Sequence, residues 1–231
     1  MRLFLSILLL CCCTLVTAQE GDVEYRLELG GGVGWVNYLG DFNGSVLKCL
    51  QPTGSVIVRR VINPYMALRA DVGYGILSGK ITPMPVQGGE GEGMQWTIPE
   101  EKFKNSMAHL TATYEYNFWP YGTGRDYHRA KRITPYLLIG LGLTYAKTQT
   151  GSVVTGHLPI GAGVKFKVAD RLNLGVEWVA NFTLSDKLDG YADPYGIPSS
   201  GIFKNTDGYT MLKATLTYSL MPKCSNCNVE Y

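Results

Sequence analysis

The segment 172–182, LNLGVEWVANF, alternates apolar and polar side chains with a period of two residues. Large apolar side chains occupy one set of alternate positions, at Leu172, Leu174, Val176, Trp178 and Phe182. Small or polar side chains occupy the other set, at Asn173, Gly175, Glu177 and Asn181. Because successive side chains of a β-strand point to opposite faces, the segment is predicted to be a strand with one apolar and one polar face.

The same period recurs in eight segments, which we place at about 24–38, 53–62, 65–77, 103–118, 135–147, 156–168, 171–183 and 209–221. Each is roughly ten residues or longer, the length that a tilted strand needs to cross a bilayer. The predicted fold is therefore all-β, an eight-stranded antiparallel transmembrane β-barrel of OmpA-like size with a polar, glycine-rich interior.

The positions of the charges decide which face meets lipid. A charge on the lipid-facing side costs roughly 2–4 kcal/mol near the bilayer midplane, so the apolar face belongs outside. The charged residues then line the lumen and are expected to form a salt-bridge network, made of Arg26, Glu28, Arg69, Asp71, Glu115, Lys165, Lys167, Glu177 and Lys213. A soluble lipocalin-type barrel would need these charges in a dry interior, which is unfavourable. A narrow ion pore is the alternative to a filled lumen.

The N-terminal residues resemble a secretory signal peptide, with Arg2 before an apolar run and Ala18 at a small-residue cleavage site. We therefore divide the chain into a signal peptide at 1–18, an outer-membrane barrel at 19–221 and a periplasmic tail at 222–231. A lipoprotein signal is the alternative, because cysteines follow at 11–13, but leucines rather than small residues precede them. The net charge of +2 implies no bulk attraction to nucleic acid.

Short and long connections alternate between the predicted strands. The short turns near 63–64 and 169–170, together with the connection 119–134, would lie in the periplasm. The longer loops, at 39–52, 79–102, 148–155 and 184–207, would lie outside the cell. We expect a multi-pass outer-membrane protein with both termini in the periplasm.

The sequence offers no convincing active site, metal site or cofactor site, and we predict a protein that is not an enzyme. His109 is expected to face inward, His128 to lie in the 119–134 connection, and His157 to lie at a strand start. Cys224 and Cys227 form a single C-x-x-C pair without nearby histidine, so a zinc site would lack ligands. The pair either forms a local disulfide or bridges to a periplasmic partner, and Cys49 leaves an odd count.

Several runs resemble a known family. They are NPYMALRA at 63–70, GYGILSG at 73–79, EYNFWPY at 115–121, ITPYLLIGLG at 133–142, LPIGAGVK at 158–165 with Asp170-Arg171, and LSDKLDG at 184–190. In their order and spacing they resemble the PorG-type outer-membrane barrels (DUF6089-like family) of the Bacteroidota type IX secretion system. The resemblance covers essentially the whole mature chain.

This resemblance implies a non-enzymatic component of type IX protein secretion that anchors a periplasmic ring complex to the outer membrane. The ring partners would be a PorK-type lipoprotein and a PorN-type protein. In one alternative, an intermolecular disulfide joins this chain to one of them. The candidate partner-binding residues lie on the expected periplasmic face: Cys224, Cys227, Arg125, Arg129, Lys131 and Arg132. The alternative is an OmpA-type structural or surface-binding barrel that acts through its extracellular loops.

Overall fold

The structure, a computed structural model, describes residues 24–39, 50–80, 102–123, 130–148, 151–184 and 208–222. Within these ranges the elements are β1 (Tyr25–Leu39), β2 (Gln51–Asn63), β3 (Met66–Lys80), β4 (Lys102–Asn117), β5 (Ile133–Lys147), β6 (Ser152–Ala169), β7 (Leu172–Thr183) and β8 (Gly208–Pro222). No helix in these ranges is long and apolar enough to cross a membrane.

Every strand pairs with its sequence neighbours in antiparallel fashion, and β1 pairs with β8 to close the barrel. The closing ladder runs from the pair Tyr25–Pro222 to the pair Leu39–Gly208. Two glycines allow this seam to form, because a Cβ at Gly30 or Gly34 would lie 2.0 Å from the carbonyl oxygen of Leu216 or Leu212. The predicted eight-stranded antiparallel barrel is confirmed.

The two faces differ as the alternation predicts. Outward side chains are apolar and exposed, as for Leu141 on β5, which is 71% exposed. Inward side chains are mainly polar and buried, as for Glu115 on β4, which is fully enclosed. The exterior is therefore an apolar belt. A bilayer would cover this belt, whereas exposing so much apolar surface to water is unfavourable.

The barrel has two distinct ends. We call the end that carries the connections β1–β2, β3–β4, β5–β6 and β7–β8 the loop end. The opposite end, which carries the other three connections and where β1 begins and β8 ends, is the turn end. At the turn end, the β2–β3 connection is tight, with the side-chain oxygen of Asn63 accepting a hydrogen bond from the backbone N–H of Tyr65 at 2.9 Å.

One predicted loop is wrong. The loop expected at 148–155 is reduced to residues 148–151, because β6 already begins at Ser152. The Thr148 N–H and hydroxyl both donate to the carbonyl of Gly151, at 2.7 and 2.8 Å, and so link the end of β5 to the start of β6. His157 therefore lies well inside β6 rather than at its start.

The interior is mainly polar, as predicted, but it also contains apolar side chains. Near the loop end, side chains from five strands form a buried apolar cluster: Val36, Tyr38, Leu77, Met107, Ala146, Tyr209 and Met211. We call this group the apolar seal. The charged residues lie between the apolar seal and the turn end.

Candidate functional site

The centre of the barrel is organised around Arg69 on β3. Its guanidinium donates to both carboxylate oxygens of Glu177 across the barrel, at 2.5 and 2.8 Å. It also donates to Asp71 at 2.5 Å, and Asp71 accepts a further bond from Lys213 at 2.8 Å. Tyr136 donates its hydroxyl to Glu177 at 2.6 Å. Charge-assisted and bidentate bonds of this kind are among the stronger hydrogen bonds in proteins.

A second cluster, nearer the turn end, is organised around Glu115 on β4. Its carboxylate accepts from Lys165 at 2.5 Å and forms an ion pair with Arg59 at 2.8 Å. Arg59 also donates to Glu28 at 2.5 Å. Arg69 links the two clusters through a longer contact of 3.4 Å with Glu115. The network joins strands that are not neighbours in the barrel. Removing one member of such a buried network would leave its partners charged and unpaired.

The structure brings seven of the nine predicted lumen residues into buried ion pairs: Glu28, Arg69, Asp71, Glu115, Lys165, Glu177 and Lys213. Lys167 is buried as well, but it donates to Asn173 at 3.2 Å and faces the rings of Tyr25 and Tyr121.

The inward placement of Arg26 is wrong, because its side chain is exposed. It lies at the end of the β1–β8 seam, between the pairs Tyr25–Pro222 and Leu27–Leu220. Met221, on the facing strand, has a φ of +54°, so the regular pleat that would direct Arg26 inward is interrupted there.

Sequence reasoning missed Arg59, which takes the interior position next to Glu28. The signal that identifies it lies in Val56 and Val58, which are exposed on the outward face of β2. Strict alternation from those two valines places residue 59 inside and Arg60 outside, and Arg60 is exposed.

The turn end is covered by the described parts of the β4–β5 connection, residues 118–123 and 130–132, which we call the lid. A parallel bridge joins Tyr121 to Lys131, and the Tyr121 hydroxyl donates to Asn173 on β7 at 3.0 Å. Burial, followed by the nearby Glu28 carboxylate, raises the pKa of the Tyr121 hydroxyl, which therefore keeps its proton. Glu24 accepts bonds from the N–H of Thr123 at 2.9 and 3.1 Å.

The partner-binding candidates are only partly described. Lys131 and Arg132 are exposed on the lid, with the Lys131 ammonium 4.5 Å from the centre of the Trp119 ring. Arg132 donates its Nε–H to the carbonyl of Thr123 at 2.9 Å. Arg125, Arg129, Cys224 and Cys227 lie outside the described residues, as do Cys49 and His128.

The two described histidines are enclosed. The Nε2 atom of His109 lies 2.9 Å from Oδ1 of Asp71, so His109 faces inward as predicted. His157 is held between Thr111 at 3.0 Å and Thr144 at 2.8 Å. Both imidazoles are almost fully buried, so a substrate would have no route to them through the described part of the barrel. The described residues hold no group of three His, Cys, Asp or Glu side chains that could bind a metal ion.

A closed eight-stranded barrel with an apolar exterior and an ion-paired interior defines this chain as a β-barrel of the outer-membrane class. The chain belongs to the DUF6089 family, a domain of unknown function that matches residues 1–229. No curated protein matches it.

Solved structures are similar to this chain at low sequence identity. Neisserial surface protein A is 12% identical, with 84% of this chain and 97% of that one covered and a TM-score of 0.49. OprG from Pseudomonas aeruginosa is 9% identical, with 88% and 99% covered and a TM-score of 0.47. The outer membrane enzyme PagL is 14% identical, with 84% and 99% covered and a TM-score of 0.39.

Proposed function

We propose that this protein is a non-enzymatic outer-membrane component of the type IX protein secretion system. It would anchor the periplasmic ring complex, built from a PorK-type lipoprotein and a PorN-type protein, to the outer membrane. In this proposal the turn end and both termini face the periplasm. The motif runs described above, from 63–70 to 184–190, support the assignment through their resemblance to PorG-type barrels.

The anchored, basic surface of the lid is the main structural support for the proposal. The lid is held to Glu24, the residue before β1, and to Asn173 on β7, so its described residues form a fixed surface across the barrel mouth. That surface exposes Lys131 and Arg132, which suits a partner of complementary negative charge. A fixed basic surface at one end of a filled barrel fits an anchor better than a transporter.

The filled interior supports the same reading. The ion pairs use four cations and four anions, namely Arg59, Arg69, Lys165, Lys213, Glu28, Asp71, Glu115 and Glu177, and the apolar seal lies beyond them. Within the part of the chain that the structure describes, paired charges and apolar side chains together fill the interior. Function is then expected on a surface of the barrel and not in its lumen.

Charge reversal at the lid tests the proposal. Lys131→Glu with Arg132→Glu should reduce recovery of the ring proteins at least tenfold when the barrel is purified from native membranes. The matched control reverses Lys104 and Lys147, two exposed lysines near the loop end, and should leave recovery unchanged. Both variants should keep the heat-dependent gel shift of a folded barrel.

The tail is tested separately. Cys224→Ser and Cys227→Ser, alone and together, should remove any higher-mass band that a non-reducing gel of native membranes shows for the wild type. A band that survives both changes would rule out a tail disulfide with a partner.

Two results would contradict the anchor proposal. One is equal recovery of the ring proteins with the lid variant and the loop-end control. The other is normal type IX secretion in a strain that lacks the gene. Either result would favour an OmpA-type barrel that acts through the loops at the opposite end.

A further inference from the structure

Four buried polar atoms of the described residues have no hydrogen-bond partner and belong to residues that line one small cavity. They are Arg69 Nε, His109 Nδ1, Thr113 Oγ1 and Asn181 Oδ1. All four residues are more than nine-tenths buried. An unpaired buried polar group costs about 1–3 kcal/mol, so four around one space indicate a ligand that pairs with them.

The cavity lies between the central ion pairs and the apolar seal. Asp71 and Lys213 line it on one side and Met211, a member of the apolar seal, on the other. Its volume is about 20 Å³, measured as the space open to the centre of a water-sized sphere. A water molecule needs about 10–15 Å³ on that measure, so the cavity holds one water, or about two at most.

The donors and acceptors around the cavity complement water. Arg69 Nε–H and the Thr113 hydroxyl are donors, and the Asn181 carbonyl oxygen is an acceptor. The amide nitrogen of Asn181 is already committed to the carbonyl of Tyr209 at 3.4 Å, which fixes the direction of the side chain. His109 uses its Nε2 in the contact with Asp71, at 2.9 Å, which leaves its Nδ1 for a bond to water. His109 and Thr113 are four residues apart on β4, roughly 13 Å along the strand, so one water reaches only one of them and pairing all four atoms takes two waters.

The same set of groups disfavours ions. A chloride would face the Asn181 carbonyl oxygen and lie close to the Asp71 carboxylate. A sodium ion would face the Arg69 guanidinium and the Lys213 ammonium. We propose that this cavity is a binding site for internal water, in which up to two molecules pair with the free polar atoms of Arg69, His109, Thr113 and Asn181.

A crystal structure of the mature protein at a resolution that orders solvent tests this proposal directly. We expect one or two water peaks that together lie at hydrogen-bond distance, about 2.7–3.2 Å, from at least three of the four atoms. An empty cavity, or an anomalous signal from an ion, would overturn the proposal. This test uses the wild type and does not depend on the folding of any variant.

Oxygen-17 relaxation dispersion of the protein in micelles gives a second measure, because it counts long-lived internal waters. Thr113→Val with Asn181→Leu should lose one such water relative to the wild type. The control Thr155→Val removes another buried hydroxyl, which donates to the Gly156 carbonyl at 3.2 Å away from the cavity, and should lose none. An equal count in the wild type and the double variant would contradict the proposal, provided that both show the gel shift of a folded barrel.

Discussion

Arg59 and Arg26 lie on neighbouring strands and carry the same charge, yet only Arg59 is buried against carboxylates. Arg59→Ala should cost about 3–5 kcal/mol of unfolding free energy, because it leaves Glu28 and Glu115 buried with fewer partners. Arg26→Ala is the matched control and should stay within about 0.5 kcal/mol of the wild type, as exposed substitutions do. Urea unfolding in lipid vesicles measures both, and equal losses would contradict the assigned roles.

At this scale the sequence predicts the interior well but not at every position. Glu177 and Lys213 occur in regular alternation, so their inward direction follows from the pleat. Arg59 and Arg60 are adjacent, and β2 carries apolar residues on both faces, including the buried Ile57, so the pattern identifies the inward arginine only once Val56 and Val58 are assigned to the outward face. Arg26 fails for another reason, since the irregular end of the closing ladder is not visible in the sequence.

The seam between β1 and β8 is the element on which closure depends. Gly30→Ala would place a Cβ 2.0 Å from the Leu216 carbonyl oxygen, so the seam would have to shift and the folded yield should fall several-fold. Gly54→Ala on β2 is the control, because its nearest neighbour, the Gly32 carbonyl oxygen, would lie at an ordinary 3.8 Å. The gel shift of refolded protein measures the yield. Equal yields for the two variants would show that the seam has more room than the structure indicates.

The lid is attached near the start of β1 through the carboxylate of Glu24, which accepts bonds from Thr123. Glu24→Gln removes the charge that accepts bonds from the Thr123 N–H, so that amide should exchange with deuterium faster while the strand amides stay protected. Asp170→Asn, in the β6–β7 turn, removes a carboxylate from the same end and should leave Thr123 unchanged. Uniformly faster exchange in both variants would indicate a general loosening of the turn end and not a specific attachment.

Strands and their faces could be predicted because the period of two extends over whole elements. The 148–151 turn could not, since Ser152-Val153-Val154-Thr155 reads equally well as loop or strand, and only its pairing with β5 decides. The lid was also missed, because it depends on long-range contacts such as Tyr121 to Asn173, which no local pattern encodes.

For the whole molecule, the apolar seal and the paired charges predict a barrel that does not conduct. Reconstituted in a planar bilayer, the wild type should give no stable current steps above those of the bare bilayer. The physical reason is that an ion would have to leave water to pass the apolar seal, without groups that replace its hydration. Reproducible unitary conductance would contradict the filled interior and favour the narrow-pore alternative.

The apolar belt is expected to face lipid. Spin labels on an otherwise cysteine-free barrel measure this orientation directly. After Cys49, Cys224 and Cys227 are changed to serine, single labels are placed by Leu141→Cys on the belt and by Lys147→Cys near the loop end, and the protein is reconstituted in vesicles. We expect the Leu141→Cys label to collide mainly with oxygen and the Lys147→Cys label mainly with a water-soluble nickel complex. Equal access of the nickel complex to both labels would contradict this orientation.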